Sequence, residues 1–207
     1  LSRGLGDVYK RQLQNNDWLN PLTTTDGLPS NLVEDMVFES PYLWAATPSG
    51  LARMNTLNST SSVLTGANGM LGTSSWGLIK TFDNVGNVQI HVSHDGAGSE
   101  RPGISSIDGN TGLVIETHRF DQLPSNTVTA VASDWWGLHI ATDVGPLTHW
   151  NGLNSQFEDG GASWQIPSWP IERMVSNGDE ILAIGNNIAT IIEARTASHS
   201  SIKAFIL

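Results

Sequence analysis

Asp26-Gly27-Leu28-Pro29-Ser30-Asn31-Leu32-Val33 returns 95 residues later as Asp121-Gln122-Leu123-Pro124-Ser125-Asn126-Thr127-Val128. Each copy is followed by an alternating segment, a turn, a second apolar segment ending in Thr, and a Gly. The first reads Leu43-Trp44-Ala45-Ala46-Thr47-Pro48-Ser49-Gly50, the second Leu138-His139-Ile140-Ala141-Thr142-Asp143-Val144-Gly145. Self-similarity at a fixed spacing means a repeated supersecondary unit. If 95 residues hold two units, a degenerate copy belongs midway, and Val88-Gln89-Ile90-His91-Val92-Ser93-His94-Asp95-Gly96 fills that place, making Gly50, Gly96 and Gly145 equivalent. A fourth, weaker copy opens at Ile166-Pro167-Ser168-Trp169 and runs through Ile171-Glu172-Arg173-Met174-Val175 to Glu180-Ile181-Leu182-Ala183-Ile184-Gly185.

Half of 95 lies close to the period of about 40–50 residues that marks propeller blades. Each unit divides into four short runs separated by turn residues, such as Asp83-Asn84-Val85-Gly86, Asp108-Gly109-Asn110, Asp134-Trp135-Trp136-Gly137 and Ser176-Asn177-Gly178-Asp179. The pattern predicts strands over 32–39, 42–47, 50–55 and 59–64, then 75–82, 86–93, 102–108 and 112–119. Further strands are predicted over 127–133, 137–142, 146–150 and 154–158, and over 171–177, 179–185, 188–194 and 201–206. The expected fold is all-β, an incomplete β-propeller over 13–207 with blades near 26–65, 70–119, 121–160 and 166–207. Neighbouring blades must cover both faces of each sheet, so Trp44, Ile90, Ile140 and Ile184 are expected between blades. Four blades of a ring of up to eight leave an open arc, with an exposed apolar face at each end and poor solubility as the consequence. The missing blades of the same chain would then be its first partner.

Leu-Pro-Ser-Asn, a Val-rich strand, a hairpin, a strand ending in Thr and then Gly resembles the two-component-regulator propeller repeat, over residues 26–55 and 121–151. Three positions depart from that pattern. The first hairpin reads Glu39-Ser40-Pro41, His139 stands where the repeat has Trp, and Pro146 replaces a Leu. Kelch or quinoprotein-type propellers are the other readings of the period. The resemblance implies a non-catalytic sensor or ligand-binding module in an extracytoplasmic setting, periplasmic, secreted or on the cell surface. A secreted or surface adhesive repeat protein is the second reading, and a polysaccharide-active propeller enzyme the third.

Composition narrows these classes. Charged residues make up 14%, against 21 Gly and 8 Trp, which suits short strands and many turns. A net charge of −10 without a Lys/Arg cluster argues against nucleic acid as a partner. The chain has no Cys, so thiolate chemistry and Cys-based zinc sites are out, and no apolar run approaches the roughly 18 residues of a membrane span. Asp7-Val8-Tyr9-Lys10-Arg11-Gln12 can be encoded by GAT GTG TAT AAG AGA CAG, which resembles a transposase mosaic-end adapter; a polar N-terminal arm is the alternative. Setting residues 1–12 aside leaves 7 Lys+Arg and 19 Asp+Glu, a net −12.

Propeller ligands usually meet the face where the outer strand of one blade returns to the inner strand of the next. On that face the sequence places Ser30, Asn31, Ser49, His94, Asp95, Ser125, Asn126 and Asp143, a polar ring suited to an oligosaccharide, a peptide or an ion. The plainer role for Asn31 and Asn126 is to bond the turn backbone. His91 and His94 differ by an odd number on one strand, which aims them at opposite faces and argues against joint metal ligation. His139 and His149 read as polar strand positions, and His118-Arg119 as an outer-edge pair. Glu158-Asp159 and Asp179-Glu180 read as solvated turns, Asn58-Ser59-Thr60 as a glycosylation acceptor, and Trp135, Trp136, Trp164 and Trp169 as packing or sugar-stacking residues. No catalytic constellation, metal site or cofactor motif emerges.

Overall fold

The computed structural model describes residues 13–14, 17–18, 21–83, 85–95, 102–134, 137–144, 147–152, 156–158, 170–177, 180–193 and 202–206. The first pairing is a short one, β1 (Leu13–Gln14) with β2 (Asp17–Trp18). Four antiparallel four-stranded sheets follow, each in simple sequential order. Blade 1 holds β3 (Asp35–Glu39), β4 (Tyr42–Thr47), β5 (Gly50–Asn55) and β6 (Ser61–Leu64). Blade 2 holds β7 (Leu78–Phe82), β8 (Val88–His94), β9 (Gly103–Asp108) and β10 (Val114–Arg119). Blade 3 holds β11 (Val128–Ser133), β12 (Gly137–Thr142), β13 (Thr148–Asn151) and β14 (Gln156–Glu158). Blade 4 holds β15 (Arg173–Ser176), β16 (Glu180–Gly185), β17 (Ile188–Glu193) and β18 (Ile202–Ile206). The first strands touch in succession, β3 beside β7, β7 beside β11 and β11 beside β15, so the sheets converge on their innermost strands as a propeller arc does.

The strands match the expected ones closely, the largest offsets falling at the starts of blades 1 and 2. β3 starts at Asp35 and not at residue 32, because side chains in the repeat hold the preceding segment as a turn. Ser30 Oγ accepts the Leu32 N–H at 3.0 Å, and Asn31 Oδ1 accepts the Thr24 N–H at 3.1 Å. Ser125 Oγ accepts the Thr127 N–H at 3.1 Å in the same way before β11. A 3-10 turn over Thr24–Asp26 is closed by a capping box between Thr23 and Asp26 and by Gly27 at φ 100. A Cβ on Gly27 would lie 1.9 Å from Ser61 Oγ, so the backbone angle and the close approach both demand glycine.

That turn also locates the degenerate second repeat. Gly66–Asn68 forms the same 3-10 turn, capped by Thr65 and Asn68 and ended by Gly69 at φ 92. Leu28, Met70 and Leu123 are then equivalent buried anchors. They are spaced by 42 and 53 residues, not by two equal halves of 95. The excess sits between β8 and β9, where a tight turn in blade 1 is replaced by a longer connection. Gly50 pairs with Thr47 and Gly103 pairs with His94, so Gly103 and not Gly96 takes the Gly50 position. Gly96, Gly145 and Pro146 lie outside the described residues, as do residues 1–12 and Trp135, Trp136, Trp164 and Trp169.

Three apolar seams join the four blades. Trp44, Ala46 and Val37 of blade 1 pack on Leu78, Ile90, Val92 and Ile107 of blade 2. Ile79 and Ile104 of blade 2 pack on Val128, Leu138, Ile140 and Trp150 of blade 3. Ala130, Ala132 and Ala141 of blade 3 pack on Ile181, Ala183 and Ile192 of blade 4. Polar links cross the same seams. Asp35 Oδ2 accepts the Leu78 N–H at 2.8 Å, Asp95 Oδ1 the Val128 N–H at 3.0 Å, and Thr129 Oγ1 donates to Ile171 O at 2.6 Å. Arg53 lies 3.6 Å over the Tyr42 ring and donates to Thr111 O and Asn110 O, clamping blade 1 to the β9–β10 hairpin.

Register alignment of the second strands makes Trp44, His91, His139 and Leu182 one equivalent position. Ile90 and Ile140 do pack between blades, one residue off that position and on the opposite face. Ile184 is a correction, being only half-buried, because Ile181 and Ala183 are the β16 side chains turned toward blade 3. Of the two exposed apolar end faces expected, that of blade 1 is covered. Leu22, Leu28 and Val33 cover the outer face of blade 1 by packing on Ala45, Ala52 and Met54. Blade 4 leaves Val175 and Leu182 exposed.

Candidate functional site

Turns after the second strands and segments leading into the first strands gather on one face. The Ser75 N–H of blade 2 donates to Thr47 O at 3.0 Å, the Asp143 N–H donates to Thr127 O at 3.1 Å, and Pro29 packs against the Gly50 position. Ser30, Asn31, Ser49, Asp95, Ser125, Asn126 and Asp143 therefore belong to this face by their place in the fold. Ser49, Asn31 and Asp143 are exposed, and Ser30, Asp95, Ser125 and Asn126 half-buried. Ser30, Asn31, Ser125 and Asp95 each commit a side-chain oxygen to the backbone bonds given above.

His94 is a correction to the expected ring. It is 2% exposed, and both ring nitrogens are engaged within the protein. Nδ1 donates to Ser74 O at 2.8 Å, so Nε2 accepts from Ser105 Oγ at 2.8 Å in the neutral ring. Ser105 Oγ in turn accepts the Leu71 N–H at 2.9 Å. His94 thus ties the blade 2 lead-in to β9 from beneath the face. His91 faces the other side of β8, bonded through Nε2 to Thr81 Oγ1 and through Nδ1 to Ser106 Oγ, both at 2.8 Å. Burial pushes both imidazoles down to a pKa of about 4, His118 adding to the effect on His91 and the Ser74 carbonyl opposing it on His94.

Acidic groups open the innermost strand of blade 1. Burial pushes the Asp35 carboxyl up to about 6 against the hydrogen bonds it accepts from Leu78 and Met36. Burial also raises Glu34, with Arg173 of blade 4 opposing it. At the other end of the innermost strands lies a cavity of about 280 Å³, lined by β3, β7, the end of β11 and the end of β15. Asp134 borders it.

Asp134 is also the centre of a buried polar group that the sequence reading passed over. Its Oδ1 accepts the Gly137 N–H at 2.7 Å, which closes the β11–β12 turn. Its Oδ2 lies 2.7 Å from His139 Nε2 and 3.5 Å from His149 Nε2. His139 on β12 and His149 on β13 are direct cross-strand partners with ring centroids 4.5 Å apart. The available signal was an acidic turn residue followed by His on each of the next two strands, in register. His118 Nε2, by contrast, lies 3.2 Å from Glu116 Oε2 on the outermost strand β10, an outer-edge pair. Asn58 is exposed in the β5–β6 turn, while Asp159 and Asp179 lie outside the described residues.

No protein-family model matches the chain, and no curated protein sequence does. Solved structures match it in fold. The extracellular domain of BT4673 from B. thetaiotaomicron, described in one structure as a one-component system, gives a TM-score of 0.60 over 94% of this chain at 18% identity. The same protein's extracellular domain, described elsewhere as a hybrid two-component system, gives 0.58 over 96% at 16% identity. This chain spans 24% of each of those chains, about a quarter of their length. The complex of KlAtg21 with the coiled coil of AgAtg16 gives 0.54 over 83% of this chain and 55% of its own, at 11% identity. The four sheets are accordingly an arc of a β-propeller, similar in fold to extracellular domains described as belonging to one-component and hybrid two-component systems.

Proposed function

We propose that this chain is part of an extracytoplasmic sensor of the two-component-regulator propeller type, binding its ligand without transforming it. The observation that carries the reading is the fold match, over nearly the whole chain, to extracellular domains described as belonging to one-component and hybrid two-component systems. The repeated Leu-Pro-Ser-Asn segments agree with it. The ligand site is the face where Ser49 and Asp143, in turns after second strands, meet Ser30, Asn31, Ser125 and Asn126 ahead of first strands. Hydroxyls, amides and carboxylates set around a net acidic surface suit an oligosaccharide or a peptide, and repel polyanions. Further blades of the same protein complete the ring against the exposed Val175 and Leu182 of blade 4.

The test uses the full-length protein on oligosaccharide and peptide panels. Retention of one class without product release is the expected result, and retention should weaken in the Asn126→Ala variant. Release of a shortened product would replace the sensor reading with an enzymatic one. A full gene that encodes only tandem propellers, with no transmembrane helix or signalling domain, would move the assignment to an adhesive surface protein.

A further inference from the structure

We propose that Asp134, His139 and His149 bind one divalent transition-metal ion, zinc by preference, between the third blade and the central cavity. One carboxylate and two imidazoles form a nitrogen and oxygen donor set suited to zinc and its neighbours, and unlike the all-oxygen sets of calcium and magnesium. One ligand atom from each residue lies within 4.8 Å of the others. Donor atoms around a tetrahedral zinc, with bonds of about 2.0–2.2 Å, stand about 3.3 Å apart. The measured 2.7 and 3.5 Å to Asp134 Oδ2 bracket that value, and rotation of the side chains covers the difference.

The three residues are fixed by one sheet: Asp134 by the β11–β12 turn it closes, the two histidines by the β12–β13 register. All three are buried, at 7%, 1% and 5% exposure. Ala132 is the cross-strand partner of His139 on β11, so a small side chain stands beside that imidazole. Asp134 also lines the cavity of about 280 Å³, which gives an ion an approach to the carboxylate from the innermost strands. Propeller geometry does not require these residues. The positions of His139 and His149 hold Trp44 and Arg53 in blade 1, His91 and Ser106 in blade 2, and Leu182 and Ile191 in blade 4.

The chain is stripped with a chelator and titrated with Zn²⁺ and, separately, with Co²⁺, whose four-coordinate form absorbs in the visible. The expected result is one equivalent of tightly bound metal, an intense cobalt spectrum that zinc abolishes, and a higher melting temperature with metal. His149→Gln should weaken binding by at least the roughly 10–100-fold seen when a mere supporting residue is lost. His118→Gln, at the surface pair with Glu116, should leave it unchanged. Failure of the folded wild-type chain to take up one equivalent of either metal overturns the proposal, whatever the variants do. So does cobalt binding that survives His149→Gln and disappears in His118→Gln. If His149→Gln fails to fold, the wild-type cobalt spectrum and its displacement by zinc decide alone.

Discussion

Blades 1 and 3 carry the best-matched copies of the repeat and fill its central position with opposite chemistry. In blade 1 the position is Trp44, fully buried against Ile90 and Val92, with Arg53 stacked behind it. In blade 3 it is His139, equally buried, with His149 opposite and Asp134 at its edge. The backbone pairing is the same in both. The repeat therefore fixes where a large side chain stands, while each seam decides independently whether it is held by dispersion or by hydrogen bonds.

Replacing the two central residues separates these modes. Trp44→Ala should cost about 3–5 kcal/mol, the usual penalty for emptying a large aromatic site, seen as a lower melting temperature that hardly depends on pH. His139→Leu should cost about 3 kcal/mol or more by leaving the buried Asp134 carboxylate short of a donor. Adding Asp134→Asn to His139→Leu should restore part of that loss in chemical denaturation. A double variant less stable than His139→Leu would show that Asp134 matters through the Gly137 turn and not through the histidine.

Blade 2 permits a pH test of the same contrast. His91 and His94 have folded pKa values of about 4 against an ordinary value near 6.5, so the unfolded chain binds more protons between those limits. Their contribution is complete above about pH 6.5 and is lost as the pH falls toward 4, each shift corresponding to about 3 kcal/mol. Asp35 works the other way. With a folded value of about 6, its burial penalty is complete above pH 6 and disappears as the pH falls toward 4. Melting temperature should therefore drop on acidification from 6.5 to 4, and drop further in Asp35→Asn, which lacks the compensating group. At pH 7 Asp35→Asn should be more stable than wild type by about 1 kcal/mol, the relieved charge exceeding one weakened hydrogen bond. The smallest effects belong to the turns: Ser30→Ala and Ser125→Ala should each cost about 0.5–1 kcal/mol, and equally, since both hold the N–H two residues on. Unequal losses would mean that one turn has a further task.

Much of this architecture was legible in the sequence because blades are built from local signals. The Leu-Pro-Ser-Asn copies, the Thr-terminated second strands and the Asp and Asn turns locate the four sheets to within a few residues. What misled was the assumption of an even period. The Thr65-Gly66-Ala67-Asn68-Gly69-Met70 turn keeps the capping chemistry of the first repeat and none of its Leu-Pro-Ser-Asn letters, so Gly96 was matched in place of Gly103. His94 reads as a face residue because it falls just past the strand expected over 86–93; its burial depends on Ser74 and Ser105, distant in sequence. The Asp134 group escaped for the same reason. A cross-strand His pair is visible only once β12 and β13 are set in register.

The two ends of the arc are not alike, and that gives the molecule a direction. Blade 1 is shielded by its own lead-in segment, through Leu22, Leu28 and Val33, whereas blade 4 presents Val175 and Leu182 to solvent. Blade 1 can therefore bury this side with the segment that immediately precedes it in the chain, without waiting for a neighbouring sheet to emerge from the ribosome. Val175 and Leu182 of blade 4 stay in water until another surface meets them.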